Sequence, residues 1–331
     1  MTIAVVILNW NGRPLLEQFL PSVVRFSQQA NIYVADNAST DDSLNYLQQN
    51  FPEVKIIRND TNAGYAGGYN LALANLKEDL FLLVNSDLAV TEGWLEPLIK
   101  AFEQDANLSA AQPKILDHKR PQMFEYAGAA GGYLDKYGYP YCRGRLFGSL
   151  ETDQGQYDHE ADIFWASGAC LAIRRSAFMA VDGFDTDLFA HQEEIDLCWR
   201  LQSLGKRVTC IPESKVYHLG GATLQQANPQ KTYLNFRNSL LLLYKNVGGS
   251  KVYYLLFVRL CLDGLAGIRF VFQAKPSHAW AIMRAHFVFY HLIPAFRQKR
   301  KNWSNDQKYF KIKSLVWQYF FLKRRNFNQL D

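Results

Sequence analysis

Short apolar runs alternate with helical patterns through the first hundred residues. Residues 3–8 (IAVVIL) have the length of a buried strand, and residues 14–26 space their apolar positions as a helix does. Residues 32–36 (IYVAD) read as a second strand, followed by a helix that Ser39 or Thr40 can cap, with Asp41 and Asp42 at its positive end. A strand at VKIIR (54–58), a helix over 66–76, a strand at LFLLVNSD (80–87), a helix over 94–102 and a fifth strand at LSAAQP (108–113) continue the series. This alternation predicts βαβ units on a mostly parallel, Rossmann-like central sheet flanked by helices, with ligands beyond the carboxyl ends of the strands. The polar clusters NWNG, DNAST and NSD each begin where an apolar strand ends.

From about residue 117 to 162 the pattern loosens into glycine, tyrosine and charge, which predicts loops and irregular strands around a site. Order returns with DIFWASGACLAIRRSAF (162–178) and a helix in which Ile195, Cys198, Trp199 and Gln202 recur at i, i+3, i+4 and i+7, stopped by Gly205. RVTCIP (207–212) predicts another strand. Past about Thr232 the composition shifts. Strongly apolar runs there are interrupted by Arg237, Lys245, Arg259, Asp263 and Arg269, and a basic, aromatic tail follows. The expected division is a catalytic unit over 1–230 and a helical, basic region over 231–331.

Composition narrows the class. With 48% hydrophobic and 14% aromatic residues in 331, the chain folds and buries a sizeable core. A net charge of +5 favours anionic partners in general, with nucleic acid not among those expected. Five cysteines without a C-x-x-C pair argue against a disulfide framework or zinc knuckle and fit a reducing compartment. The first residues carry no basic stretch ahead of the apolar run, so the expected location is cytoplasmic.

Several positions can carry chemistry. Asp36, at the tip of the second strand, can accept from a base or ribose, or form an Asx turn with Asn37 and Ser39 nearby. Gly64, Gly67 and Gly68 precede a helix, where they allow either phosphate approach or close helix–sheet packing. Neither a dinucleotide fingerprint nor a P-loop is present. Asp87, just beyond a buried strand, can hold Mg²⁺ or Mn²⁺ against a diphosphate, with His218 as a second ligand, or it can serve as a turn residue. Glu193, Glu194 and Asp196 fall within four positions of one helix. Asp196 has Arg200 at i+4 as an ion-pair partner, and the helix dipole favours acids in the first turn. Two adjacent glutamates beyond that suit a general base.

Taken in order, VVILNWNG, VADNASTDDS, NAGYAGGYN, LVNSDL, WASGACLAIRRSAF, GFDTDLFAHQEEIDLCWRLQSLG and VYHLGGAT resemble the inverting nucleotide-sugar glycosyltransferases of family 2, with the GT-A fold, and especially their bacterial rhamnosyltransferase-like branch. The resemblance spans about residues 3–223. It implies that Asp36 contacts the nucleotide, that Asp87 is the last aspartate of a D-x-D-like metal motif, and that His218 completes the metal site. Asn11, Asn62, Gly67, Gly68 and Asn85 complete the expected nucleotide-sugar set. Glu194 falls on the catalytic base, while Trp165, Gly168, Ala169 and Glu193 shape the acceptor side. Asn85 stands where many relatives carry the first aspartate, and Glu194 where aspartate is more usual.

The implied activity is a metal-assisted transfer of a sugar, first rhamnose, from a dTDP- or UDP-linked donor to a glycan or lipid-linked acceptor in cell-surface polysaccharide synthesis. The alternative is a catalytically inactive nucleotide-sugar-binding or scaffold protein on the same fold. For residues 233–331 two readings compete. One is an amphipathic module lying on the anionic inner face of the plasma membrane, and the other is a helical cover with solvated basic residues. A true span is disfavoured by Arg259, Asp263 and Arg269.

Overall fold

A computed structural model describes residues 1–220 and 228–330. The amino-terminal half alternates as the pattern demands: β1 (Ile3–Asn9), α1 (Arg13–Phe26), β2 (Asn31–Asp36), α2 (Ser43–Asn50), β3 (Lys55–Arg58), α3 (Gly64–Leu73), β4 (Leu80–Asn85), β5 (Leu88–Val90), α4 (Leu95–Gln104) and β6 (Leu108–Asp117). Short strands follow, β7 (Gly132–Asp135), β8 (Pro140–Cys142), β9 (Arg145–Leu146), β10 (Ser149–Leu150) and β11 (Ala161–Asp162). Then come β12 (Cys170–Arg174), α5 (Arg175–Ala180), α6 (Glu193–Ser203) and β13 (Arg207–His218). The carboxyl-terminal region holds α7 (Pro229–Asn246), α8 (Lys251–Phe272), α9 (Pro276–Trp303) and β14 (Phe310–Ile312).

The central sheet has the order β11-β13-β6-β12-β4-β1-β2-β3, with β5 added beside β13. Parallel pairing joins β3, β2, β1 and β4, and again β6 and β13, whereas β12 runs antiparallel between β4 and β6. Alternation along the strands divides the core in two. Ala4 and Val6 with Phe81 and Leu83 face one side, and Val5 and Ile7 with Leu82 and Val84 the other. The loosely patterned stretch after β6 supplies most of a second sheet, β10-β9-β8-β7-β14, closed by a strand from the far carboxyl-terminal end. Leu240–Tyr244 of α7 share a core with Phe164 and Trp199.

Three local expectations differ from what forms. The strand begun at RVTCIP continues through Pro212 to His218, because the register breaks between Ile211 and Lys215 and that irregularity accommodates a residue without an N–H. LSAAQP likewise begins the ten-residue β6. Neither Ser39 nor Thr40 caps α2; Asp41 accepts from the Ser43 N–H at 3.1 Å instead.

Candidate active site

Parallel registry brings the polar clusters together. Asn9 pairs with Asp36 and Leu8 with Asn85, so β2, β1 and β4 end at one level of the sheet. Asn9 Nδ2 donates to Asp36 Oδ1 at 3.1 Å and to Ser39 Oγ at 3.2 Å. The other Asp36 oxygen accepts from the Ser39 N–H at 2.9 Å, the Asx-turn geometry, and the side chain is buried. Asn11, at φ 48°, accepts from the Thr40 N–H at 2.7 Å and so ties the two strand-end loops.

The glycine-rich segment is organised by asparagines. Asn62 Oδ1 accepts from Asn37 Nδ2 at 2.9 Å and from the Gly64 N–H at 3.0 Å. Gly67 and Gly68 are buried, and a Cβ on Gly68 would sit 2.9 Å from Leu8 Cδ1 and 3.0 Å from Asn37 Nδ2. The first free N–H groups of α3, those of Tyr65 and Ala66, donate to the Phe189 carbonyl at 3.1 and 3.3 Å. Close packing is thus visible at these glycines, and the helix end is already occupied by backbone.

Asp87 follows β4 directly, and the pairing of His218 with Leu88 at the start of β5 sets the two side chains against each other. His218 Nε2 lies 3.0 Å from Asp87 Oδ1 and 3.4 Å from Asn85 Nδ2. Its Nδ1 lies 3.3 Å from Oε1 of Glu125, which β6 positions through the Glu125 N–H to Ile115 carbonyl bond. All three ionisable side chains are buried. Burial alone would lower His218, but the charges of Glu125 and Asp87 override it and hold the imidazole up at about 10. Burial would likewise raise Asp87, and the His218 hydrogen bond and charge instead hold it below the usual carboxylate range.

Do these residues fit a divalent ion? Among the described residues no three His, Cys, Asp or Glu side chains converge on one point. Mg²⁺ however needs only one or two protein ligands beside phosphate oxygens and water. Ligands on adjacent corners of an octahedron with bonds of about 2.1 Å stand about 3 Å apart, matching the 3.0 Å between Asp87 and His218. A carboxylate behind the imidazole, here Glu125, is the usual device that aims a ligating histidine. The donor set fits.

The first turn of α6 carries a second group of acidic side chains, Glu193, Glu194 and Asp196. Asp196 is the structural member: Arg200 Nε stands 2.7 Å away, Lys245 Nζ 2.9 Å and Asn246 Nδ2 3.1 Å, so despite burial its carboxyl lies far below the ordinary range. Among the described residues Glu193 and Glu194 have no such cationic partners. Burial and the neighbouring Glu194 charge push Glu193 well above a normal glutamate, and one of its oxygens has no hydrogen-bond partner among the described residues. Glu194, less covered, is raised by burial to about 7, with the backbone N–H groups at the start of α6 opposing the shift. The turn before α6 is strained, with Phe189, His191 and Gln192 all at φ between 63° and 69°.

Contacts tie the end of β4 and the start of α3 to the turn before β12. The Asn85 N–H donates to the Ala169 carbonyl at 3.0 Å, and Tyr65 Oη donates to the Gly168 carbonyl at 2.7 Å. Burial, Tyr69 and the charges of Glu193 and Glu194 all push the Tyr65 hydroxyl up. The buried Cys142 thiol is raised by burial and, against the opposing Arg145, by both Glu125 and Glu194. Trp165 is buried beneath this wall, its Nε1 donating to the Tyr133 carbonyl at 3.0 Å. Glu125 and Tyr65 went unnoticed in the sequence. Glu125 lies in a stretch with no periodicity, and Tyr65 reads there as one more aromatic residue of a glycine-rich turn.

Residues 4–181 match the sequence model of Glycosyl transferase family 2. The N-acetylglucosaminyl-diphospho-decaprenol L-rhamnosyltransferase of Mycobacterium tuberculosis is 28% identical over 233 residues, 65% of this chain and 75% of its own length. Rhamnosyltransferase WbbL of Escherichia coli (strain K12) is 24% identical over 223 residues, 65% of this chain and 82% of its own. Among solved structures, GalNAc-T7 with UDP, GalNAc and Mn²⁺ superposes with a TM-score of 0.60 at 16% identity, over 98% of this chain and 56% of that one. That likeness is one of fold, and this chain spans little more than half of that protein.

Proposed function

Because this chain belongs to glycosyl transferase family 2, we propose that it is an inverting transferase moving a sugar, first rhamnose, from a dTDP- or UDP-linked donor to a hydroxyl of a glycan or lipid-linked acceptor. The sugar follows the two rhamnosyltransferase relatives, and the lipid-linked acceptor follows the decaprenol derivative in the name of the mycobacterial one. The carrying observation is the buried Asp87–His218 pair at the strand ends, backed by Glu125. In this reading Asn11, Asp36 and Asn62 frame the nucleotide end, Gly67 and Gly68 let α3 close against it, and Asn85 and Asp87 meet the diphosphate. Gly168 and Ala169, with Trp165 behind them and Glu193 beside them, shape the acceptor side.

Asp87 and His218 would hold Mg²⁺ or Mn²⁺, which when bound supplies positive charge against the departing diphosphate. Glu194, poised near neutral pH, takes the proton of the acceptor hydroxyl as that oxygen attacks the anomeric carbon. Direct displacement inverts the anomeric centre and needs no protein nucleophile. Burial and the neighbouring charge push Glu193 well above a normal glutamate, which favours placing the pair's negative charge on Glu194.

The test is release of nucleoside diphosphate from a donor panel, with Mn²⁺ or with chelator, in the presence of a lipid-linked acceptor. Metal-dependent release that Glu194→Gln abolishes, with donor binding intact, supports the reading. Tight donor binding with no release under any condition would make the protein a binder or scaffold.

A further inference from the structure

The helices α8 and α9 form an antiparallel pair whose polarity is turned inside out. On α8 the protein-facing positions include Arg259 and Asp263, both buried. Arg259 Nε donates to Asp263 Oδ1 at 2.8 Å, its guanidinium reaches the Tyr137 carbonyl at 3.0 Å and Ser239 Oγ at 2.6 Å, and the Tyr139 hydroxyl donates to Asp263 at 3.2 Å. His286 of α9 stands 3.4 Å from the same aspartate. Arg259 and Asp263, which interrupt the apolar run, therefore point inward and satisfy one another.

The outward positions are apolar. Tyr254, Phe257, Cys261, Leu265, Ile268 and Phe272 follow one another at spacings of three and four, and all are exposed, Phe257 by 66% and Phe272 by 86%. On α9 a second stripe runs through Trp280, Met283, Phe287 and Tyr290, with Phe287 67% exposed. Beyond them Trp317 stacks on Phe321, both exposed, in a turn that Arg269 ties to α8 by lying 4.9 Å from the Phe320 ring. Scattered exposed hydrophobics are ordinary, but two continuous stripes backed by buried ion pairs are not.

Charge identifies what covers this face. Residues 231–331 hold 18 of the 36 Lys and Arg but 3 of the 31 Asp and Glu, a net +15 against −10 for residues 1–230. Lys275, Arg297, Lys301, Lys313 and Lys323 are exposed in the same region. Two copies meeting through this face would press like charges together, whereas an anionic lipid surface offers acyl chains to the stripes and phosphates to the cations. No helix among the described residues is long and apolar enough to cross a membrane. We propose that the outer face of α8 and α9 lies in the plane of an anionic lipid bilayer, its aromatic stripes within the acyl boundary and its Lys and Arg against the headgroups. This names the surface at which the transferase reading meets its lipid-linked acceptor, and it rests on that reading only for its purpose.

The full chain is floated with vesicles of zwitterionic lipid alone and with increasing phosphatidylglycerol, at low and high salt. Binding is expected to rise with anionic lipid, to weaken with salt, and to fall about tenfold or more in the combined variant Phe257→Ser, Leu265→Ser, Phe272→Ser and Phe287→Ser. A second variant, Lys275→Glu with Arg297→Glu and Lys301→Glu, is expected to lose the dependence on anionic lipid. Thermal unfolding and donor hydrolysis in solution are followed in parallel, and both variants are expected to match the parent. No flotation of the parent, unchanged flotation of both variants, or a concentration-dependent dimer that the serine variant dissolves would each overturn the proposal. Failure of transfer with flotation intact would instead strike the transferase reading alone.

Discussion

Glu125 Oε1 lies 3.3 Å from His218 Nδ1, on the side of the ring opposite Asp87. The imidazole is thus held between two buried carboxylates, one from a loop after β6 and one from the end of β4. If the Asp87 side binds a divalent ion, the Glu125 side sets the ring's orientation and basicity. Glu125→Gln should therefore weaken Mn²⁺ binding about 10- to 100-fold. Calorimetric titration with Mn²⁺ reads this directly, and unchanged affinity would leave Glu125 as a packing residue only.

Lys245 gives the second prediction. Its Nζ stands 2.7 Å from Asp185 and 2.9 Å from Asp196, and Lys299 of α9 also reaches Asp185. Lys245→Met removes one cation from two carboxylates that keep Lys299 and Arg200, and should cost about 1–3 kcal/mol in denaturant unfolding. Asp196→Asn should cost less in that background than in the parent, because the two side chains belong to one ion-pair network. Asp196 is depressed in the fold, so its contribution is present above the ordinary aspartate pKa and fades as pH falls through the lower folded value. Stability of the parent should accordingly decline in strong acid more steeply than that of the double variant.

How far the sequence disclosed this arrangement depended on periodicity. The strand-end clusters at Asn9, Asp36 and Asn85 were legible because buried parallel strands are apolar runs and their ends are abrupt. The Asp196–Arg200 pair was legible as i, i+4 spacing on a helix and forms at 2.7 Å. Glu125 was not legible, since it reaches His218 through a backbone bond to β6 that no local pattern encodes. The extension of β13 to His218 was hidden by Pro212, which local rules read as a stop. Arg259 and Asp263 were visible as interruptions of an apolar run, but which face they occupy follows from what α7 and the Tyr137–Tyr139 loop present to them.

Gly68 separates packing from ligand approach. A Cβ there would meet Leu8 and Asn37 at 2.9 and 3.0 Å, and both neighbours are held by the sheet and by the asparagine network. Gly68→Ala should destabilise the protein by about 1–3 kcal/mol through overpacking. Donor affinity measured well below the lowered melting temperature should change little if the glycine serves packing, and should collapse if phosphate approaches its backbone.

The sharpest prediction concerns Glu194. Burial raises it to about 7, and it titrates together with Glu193, so the acid limb of kcat/KM belongs to the pair. Activity should rise with pH through about 7, because the base acts only when unprotonated. Stability should move the other way. An unfolded glutamate loses its proton near 4.3, while the folded one keeps it to about 7, so the folded state binds the extra proton between those values. Stability is then greatest below the lower value and falls as pH climbs to the upper one, by at most about 4 kcal/mol, less with partial exposure. Glu194→Gln should remove both slopes at once. Transfer should drop by about 10²-fold or more, and unfolding free energy at pH 8 should exceed that of the parent. A variant that lost activity but kept the parent's decline in stability between pH 5 and 8 would show that another group, not Glu194, carries the neutral titration.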